Sequence, residues 1–268
     1  MARFALGVSY QGDAFCGWQR QAEVPSVQFT LEQALSKIAL NPITTLAAGR
    51  TDKGVHAVGQ VVTFSTPVQR PLEAWVKGVN TWLPPTIRVH WAKEVHERFD
   101  ARRHALWRQY RYVLYPSPIP PAIYRKGVTW TYRSVNVEAM HRAAQLWLGE
   151  HDFSAFRGAG CQAKHARRNL MAFNISYSEP VVVFSVKANA FLLHMVRNFV
   201  GTLLKIGYGE APIEWALDVL HSQDRKLAGV TAPPNGLYLY RVGYPDELNF
   251  PHGPHEKWAL PCIINDRA

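Results

Sequence analysis

Cysteine is scarce in this sequence, which has only three among its 268 residues: Cys16, Cys161 and Cys262. An odd and widely spaced set excludes the disulfide framework that holds small secreted domains together. A zinc site needs closely spaced Cys and His pairs. The nearest approaches, Cys161 with His165 and His252 with His255, each lack a second pair. We therefore predict no metal site.

Long apolar runs are missing as well. No stretch approaches the roughly 18 consecutive apolar residues of a transmembrane helix. The first residues enter a strand-like pattern rather than the long apolar region of a signal peptide. We therefore expect a cytoplasmic protein with no membrane partner.

Acidic residues are outnumbered by basic ones, 20 to 30, which gives a net charge of +10 and a pI near 9.6. Such an excess attracts polyanions, nucleic acid first and an anionic membrane surface second. Most of it lies in residues 97–170, which hold 13 Lys or Arg and 5 Asp or Glu, a net +8. Within that segment, Arg157–Arg168 is predicted to be a flexible basic loop that contacts RNA or DNA, with a solvated surface as the alternative.

The chain is 47% hydrophobic and 12% aromatic, so it can bury a core, and its length suits one large or two small domains. Apolar periodicity predicts the order β-α-β-β-α-β twice. In the first half it predicts strands at 4–9, 43–48, 60–64 and 87–95, with helices after Ser26 and Pro71. In the second half it predicts strands at 107–115, 172–177, 181–187 and 237–242, helices at 137–148, 191–206 and 212–221, and a hairpin strand near 128–132.

These patterns predict an α+β protein made of two fused ferredoxin-like (βαββαβ) domains that share an antiparallel or mixed sheet. The predicted domains are residues 1–105 and 106–245, followed by a tail, 246–268, that carries no motif.

One loop combines glycine with many polar groups. Residues 48–64 place Gly49, Arg50, Thr51, Asp52 and Lys53 between two apolar strands. Glycine lets the backbone approach a ligand closely, and the polar side chains could meet there. The loop lacks the lysine of a phosphate-binding P-loop. A plain turn is the alternative.

Arg197 is the one formally charged residue between Lys187 and Lys205, in a predicted apolar helix. A buried arginine is costly unless a carboxylate meets it, and Asp52 is the best-placed candidate. Alternatively, Arg197 reaches water at the helix edge or binds phosphate. His194 on the same helix is predicted to be a packed core residue.

The strand that begins at Trp107 alternates charge and rings. If one face buries rings, the other could present Arg108 and Tyr110 to a ligand, since bases stack on rings while arginines hold phosphates. Alternating aromatic residues also occur in plain core strands.

Four blocks of the sequence combine these features: Ser26–Gln28, Gly49–Ala57, Arg108–Tyr112 and Asn189–Asn198. In this order and spacing, within roughly residues 3–245, they resemble the tRNA pseudouridine synthase A (TruA) family. The resemblance implies an enzyme that isomerises uridines at positions 38, 39 and 40 of the tRNA anticodon arm without a cofactor. It also implies a homodimer of two ferredoxin-like domains, with the active site in a central basic cleft.

By position, the resemblance implies that Asp52 is the catalytic aspartate. It further implies that Arg50 helps to displace the target base, that Tyr110 stacks on the uracil and that Arg197 pairs with the aspartate. The carboxylate would either attack C1′, as in retaining glycosidases, or remove the 2′ proton, and the sequence leaves both routes open.

Two other functions stay open on the residues alone. One is a non-catalytic RNA-binding protein, which has no need for an aspartate in a glycine-rich loop. The other is an N-glycosidase that uses Asp52 to release a base.

Overall fold

The structure, a computed structural model, describes residues 1–251. The strands of this part of the chain are β1 (Ala2–Tyr10), β2 (Thr45–Ala47), β3 (His56–Thr66), β4 (Ile87–Val95), β5 (Trp107–Pro116), β6 (Thr129–Thr131), β7 (Gly149–Asp152), β8 (Arg167–Ser178), β9 (Val181–Ala188) and β10 (Leu237–Gly243). Its α-helices are α1 (Val27–Ala39), α2 (Val79–Trp82), α3 (Val137–Gln145), α4 (Met195–Gly207) and α5 (Trp215–Ser222). None of these helices is long and apolar enough to span a membrane.

The described chain divides into two compact units. Within the described residues, the first contains Met1–Leu106 and 238–251, and the second contains Trp107–Leu237. Each unit has helices and a sheet with both parallel and antiparallel pairs, so the predicted α+β class is confirmed. From Tyr238 on, β10 belongs to the first unit. The predicted boundaries of two ferredoxin-like domains stay a prediction.

In the first unit, β1 lies between β4 and β3 and is antiparallel to both. Two further strands pair with the other edge of β3, at different positions along its length. β2 pairs with its far end in an antiparallel register, and β10 pairs with its start in a parallel one, Tyr238 opposite His56. The two strands predicted around the glycine-rich loop are thus confirmed as β2 and β3.

Both faces of this sheet are covered, which explains why residues 4–10 of β1 are all buried. On one face, the ring of Phe4 lies 5.4 Å from that of Phe64 and 5.5 Å from that of Trp75. On the other face, Ala5 packs in a cluster with Phe99 and Phe250. Phe250, near the start of the predicted tail, therefore belongs to the core of the first unit with Leu248 packed against it, and residues 252–268 of that tail lie outside the described residues.

In the second unit, β5, β9, β8 and β7 pair in that order, each antiparallel to the next. The strand predicted near 128–132 is present as β6, but it pairs with β5 in parallel, so the predicted hairpin is wrong. Trp147 and Phe156 both pack on Phe199 of α4, with ring centroids 5.0 and 4.7 Å away. This aromatic cluster forms the core of the unit.

Helix boundaries differ from the predictions where the backbone turns locally. α1 begins as predicted, with the Ser26 hydroxyl accepting a hydrogen bond from the Phe29 amide. α4 begins at Met195 rather than at Phe191, because His194 has a left-handed backbone, φ 61°. α3 ends at Gln145, short of the predicted 148.

Candidate functional site

The glycine-rich loop connects β2 to β3 in the first unit. A turn closes it, since the Val55 amide donates to the Asp52 carbonyl at 3.1 Å. Arg50 and Lys53 are exposed, Asp52 is half-buried and Thr51 is 7% exposed. Asp52 therefore follows a buried residue that anchors the loop.

The side chain of Thr51 is anchored to the sheet beneath it. Its hydroxyl lies 2.8 Å from the Tyr10 hydroxyl, which also accepts a hydrogen bond from the Gln60 amide at 3.4 Å. The Gln60 side chain also bonds to the backbone of Gly49. Its Nε2 donates to the Gly49 carbonyl at 2.6 Å, and its Oε1 accepts from the Gly49 N–H at 3.3 Å. Two strands thus hold the loop on either side of Arg50.

Tyr10 is nearly fully buried at this anchor. Burial raises the pKa of Tyr10 to about 12, and its hydrogen bonds with Thr51 and Gln60 offset part of that rise. The hydroxyl therefore keeps its proton at neutral pH and remains able to donate.

The backbone of Thr51 has a second anchor. Its carbonyl accepts from the Trp18 amide at 3.0 Å. The preceding Gly17 has φ 91°, and a Cβ there would lie 2.9 Å from the Thr51 oxygen. Glycine is required here, because any side chain would push the two segments apart.

In the second unit, Tyr110 lies in β5 opposite Val186 of β9. Its ring meets the Phe191 ring edge to face, with centroids 5.0 Å apart, and the residue is 8% exposed. The prediction of one buried and one open face is wrong for this stretch, because residues 110–114 are all buried. Arg108 is half-buried, and its guanidinium donates to the Asn189 carbonyl at 3.0 Å.

Arg197 is half-buried in the first turn of α4. Its Nε donates to the Ala232 carbonyl at 2.7 Å, and the Ala232 amide donates back to the Arg197 carbonyl at 3.1 Å. A carbonyl is a partner that sequence reasoning did not consider. Asp52 lies in the first unit and Arg197 in the second, and their pairing stays a prediction.

The basic loop after Arg157 makes several hydrogen bonds to backbone carbonyls, and its flexibility stays a prediction. The Arg157 guanidinium donates to the carbonyls of Cys161 and Ala163, at 2.7 and 2.8 Å. The Gly158 amide donates to the Leu193 carbonyl at 2.8 Å. These bonds tie the loop to the residues just before α4. His194 is half-buried there and precedes the helix, so its placement as a core residue of the helix is wrong.

Comparison with known proteins settles the family. A family model described as tRNA pseudouridine synthase matches residues 7–102 and 143–245. The chain belongs to the tRNA pseudouridine synthase family. Membership makes it an enzyme, an isomerase, and confirms the family resemblance of its sequence blocks.

Individual members of the family align over nearly the whole chain. The tRNA pseudouridine synthase A of Shewanella frigidimarina is 51% identical over 249 residues, which cover 93% of this chain and 95% of that protein. The protein of the same name from Pseudomonas aeruginosa is 49% identical and covers 98% of this chain and 94% of its own length. A solved structure titled "Crystal Structure of a Cbf5-Nop10-Gar1 Complex" matches with 12% identity and a TM-score of 0.36, over 90% of this chain and 59% of that one. A score this low supports no inference about the fold.

Basic residues of the 97–170 segment remain at the surface of this tRNA pseudouridine synthase. Those that are exposed are Arg98, Arg102, Arg103, Arg125, Lys126, Arg142, Lys164 and Arg167. Arg111 and Arg168 are instead buried, 2% and 9% exposed. Some basic residues of this segment are therefore buried in the protein, and others face solvent.

Within residues 1–251, no group of three or more His, Cys, Asp or Glu side chains is placed to hold a metal ion. His252, His255 and Cys262 lie outside the described residues.

Sequence reasoning missed the residues that hold the Asp52 loop of this synthase. Tyr10 ends an apolar strand and has the pattern of a core aromatic residue. Gln60 offered a stronger signal, since it is a lone amide in the apolar run 57–64. A polar side chain that is fully buried needs partners, and those of Gln60 are Gly49 in the loop and the Tyr10 hydroxyl in β1.

Proposed function

We propose that this chain isomerises uridine to pseudouridine in tRNA, at positions 38, 39 and 40 of the anticodon arm, with Asp52 as the reacting carboxylate and no cofactor. The observation that carries the proposal is the anchored loop. Asp52 is half-buried next to Thr51, which two separate segments hold by its side chain and its backbone. Relatives about half identical in sequence are named tRNA pseudouridine synthase A.

The reaction is a rearrangement within one nucleotide. The N1–C1′ bond breaks, the base turns, and C5 bonds to C1′ while the C5 hydrogen leaves as a proton and N1 gains one. A held carboxylate suits either attack on C1′ or removal of the 2′ proton, since both require an ionised oxygen at a fixed place.

Three further residues have proposed roles at this site. Tyr110 would stack on the uracil and retain it while it turns. A base that rotates in its own plane keeps its flat face against an aromatic ring. Arg50, exposed two residues before Asp52, would fill the space left when the target base flips out of the stem. Arg197 would pair with Asp52 and fix the orientation of its carboxylate.

We also propose that each half of the chain has the ferredoxin-like fold, as two domains over residues 1–105 and 106–245. The order β1, α1, β2, β3, α2, β4 in the first unit supports this. The enzyme would act as a cytoplasmic homodimer with its active site in a basic cleft.

A tritium-release assay tests the function. Incubation with tRNA that carries 5-tritiated uridine should release tritium to water while the nucleotide stays in the chain. Release of labelled base would instead show an N-glycosidase, and no release would show a binding protein. A matched tRNA with cytidine at positions 38 to 40 should release nothing if the proposed target is right.

Binding to tRNA should also weaken steeply with salt. The exposed arginines and lysines of residues 97–170 would displace counterions from phosphates, and each displaced counterion steepens the salt dependence. A dissociation constant that stays flat between low and physiological salt would refute the basic surface as the tRNA site.

A further inference from the structure

Helix α1 carries a carboxylate that the proposed chemistry does not use. Glu32 is 3% exposed, and burying a charge is costly unless it is bonded. Its Oε1 accepts from the Gln28 side chain at 3.0 Å and from the Thr45 amide and hydroxyl at 2.8 and 3.0 Å. Its Oε2 accepts from the Arg20 guanidinium at 3.0 Å. Glu32 thus joins the helix to β2 and to the segment before the helix.

Gln28, one turn earlier on the same helix, completes this network. Its Oε1 accepts from the Arg20 backbone amide at 3.0 Å and from the Gln19 side chain at 2.9 Å. Its Nε2 donates to the Thr45 carbonyl at 3.1 Å as well as to Glu32. The buried side-chain amide of Gln28 therefore holds residues 19–20 against the helix.

The segment that Gln28 holds is the one that contacts the Asp52 loop. The carbonyls of Gly17 and Trp18 accept from the first amides of α1, Val27 at 3.2 Å and Gln28 at 3.0 Å. The Trp18 amide, on the other side of the same peptide segment, donates to the Thr51 carbonyl at 3.0 Å. A continuous series of hydrogen bonds thus leads from Gln28 to the residue before Asp52.

We propose that Gln28 is a positioning residue for Asp52, acting through residues 17–20 and the Thr51 carbonyl. This inference rests on the proposed role of Asp52. Gln28 touches no reacting atom, so its loss should leave tRNA binding intact and slow the chemical step. A misplacement of about 1 Å can cost roughly 100-fold in rate.

The test compares Gln28→Met with Leu35→Ala, a matched control on the same helix. Methionine keeps the volume of Gln28 and removes its hydrogen bonds, so the fold should survive. Leu35 is 0% exposed and lies outside the network, so its truncation lowers stability without touching the loop. At a temperature where both variants are folded, Gln28→Met should lose at least about tenfold in kcat with an unchanged KM for tRNA, and Leu35→Ala should keep its kcat.

Hydrogen exchange gives an independent readout. The Trp18 amide should exchange faster in Gln28→Met than in Leu35→Ala, because residues 19 and 20 lose their side-chain anchor and only backbone hydrogen bonds then hold the Trp18 segment. Equal kcat and equal Trp18 exchange in the two variants would overturn the positioning role.

Asp52→Asn, assayed alongside, separates the two claims. If Asp52→Asn is inactive and Gln28→Met is fully active, only the positioning role fails. If Asp52→Asn is active, the proposed function of Asp52 fails and the positioning role with it.

Discussion

Replacing Tyr10 by phenylalanine removes one buried hydroxyl from the anchor of the Asp52 loop. That hydroxyl lies 2.8 Å from the Thr51 hydroxyl and accepts from Gln60 at 3.4 Å. A net hydrogen bond is worth about 1 kcal/mol, and leaving buried partners unsatisfied adds to the loss. Tyr10→Phe should therefore lower the free energy of unfolding by about 1–3 kcal/mol at pH 8.

Above pH 10, the free energy of unfolding of Tyr10→Phe should depend less on pH than that of the natural protein. Burial raises the pKa of Tyr10 from 10.0 to about 12 in the folded protein. Between these values the unfolded chain has lost the proton and the folded chain still binds it, so stability falls as pH rises. Where the unfolded tyrosine is fully ionised, the free energy of unfolding falls by about 1.4 kcal/mol for each pH unit. Tyr10→Phe has no hydroxyl at this position and does not show this fall.

Urea unfolding at pH 8, 10 and 11 measures this difference. The stability gap between the natural protein and Tyr10→Phe should narrow by about 1 kcal/mol from pH 10 to pH 11, because the unfolded tyrosine is only half ionised at pH 10. Thr51→Val loses the same hydrogen bond but keeps the tyrosine, so its gap to the natural protein should not narrow. A Tyr10→Phe gap that is constant across this range would refute the burial argument.

Three further substitutions test packing and hydrogen bonding elsewhere in the two units. In Gly201→Ala the new Cβ would overlap the Val230 carbonyl, so we expect a loss of several kcal/mol in thermal unfolding; an unchanged melting temperature would contradict the close approach. Phe250→Ala should cost about 3 kcal/mol in urea unfolding, and a loss below about 1 kcal/mol would show that Phe250 does not contribute to the core. Thr231→Val removes a hydrogen bond of 2.6 Å to the buried Asn198 and should cost about 1–2 kcal/mol, whereas a neutral effect would mean that water replaces it.

The sequence predicted most elements of the fold because their apolar residues either form short continuous runs or recur at helical spacing. Residues 4–10 are buried on both faces of the sheet, and their apolar run predicted a strand. Ser26 predicted the start of α1, because a serine hydroxyl satisfies a free helix amide. β7 was not predicted, because Gly149–Asp152 has no apolar alternation.

The rest depended on contacts between distant residues. The start of α4 was placed too early because the left-handed backbone of His194 leaves no mark in an apolar pattern. The loop around Asp52 was predicted from its glycines and polar residues, but its anchors were not. Tyr10 and Trp18 lie far from Thr51 in the sequence, and only the folded chain brings the Tyr10 hydroxyl and the Trp18 backbone amide to that residue.

The central claim is that one carboxylate, that of Asp52, performs the isomerisation of uridine in tRNA. Asp52→Asn tests it most directly, because asparagine keeps the size of the side chain and removes the charge. The measurement is tritium release from 5-tritiated tRNA, together with the dissociation constant for the same tRNA. Our account predicts that release falls to no more than a few per cent while the dissociation constant stays within about twofold of that of the natural protein, since binding rests on phosphate contacts elsewhere. Release at the natural rate by Asp52→Asn would contradict it.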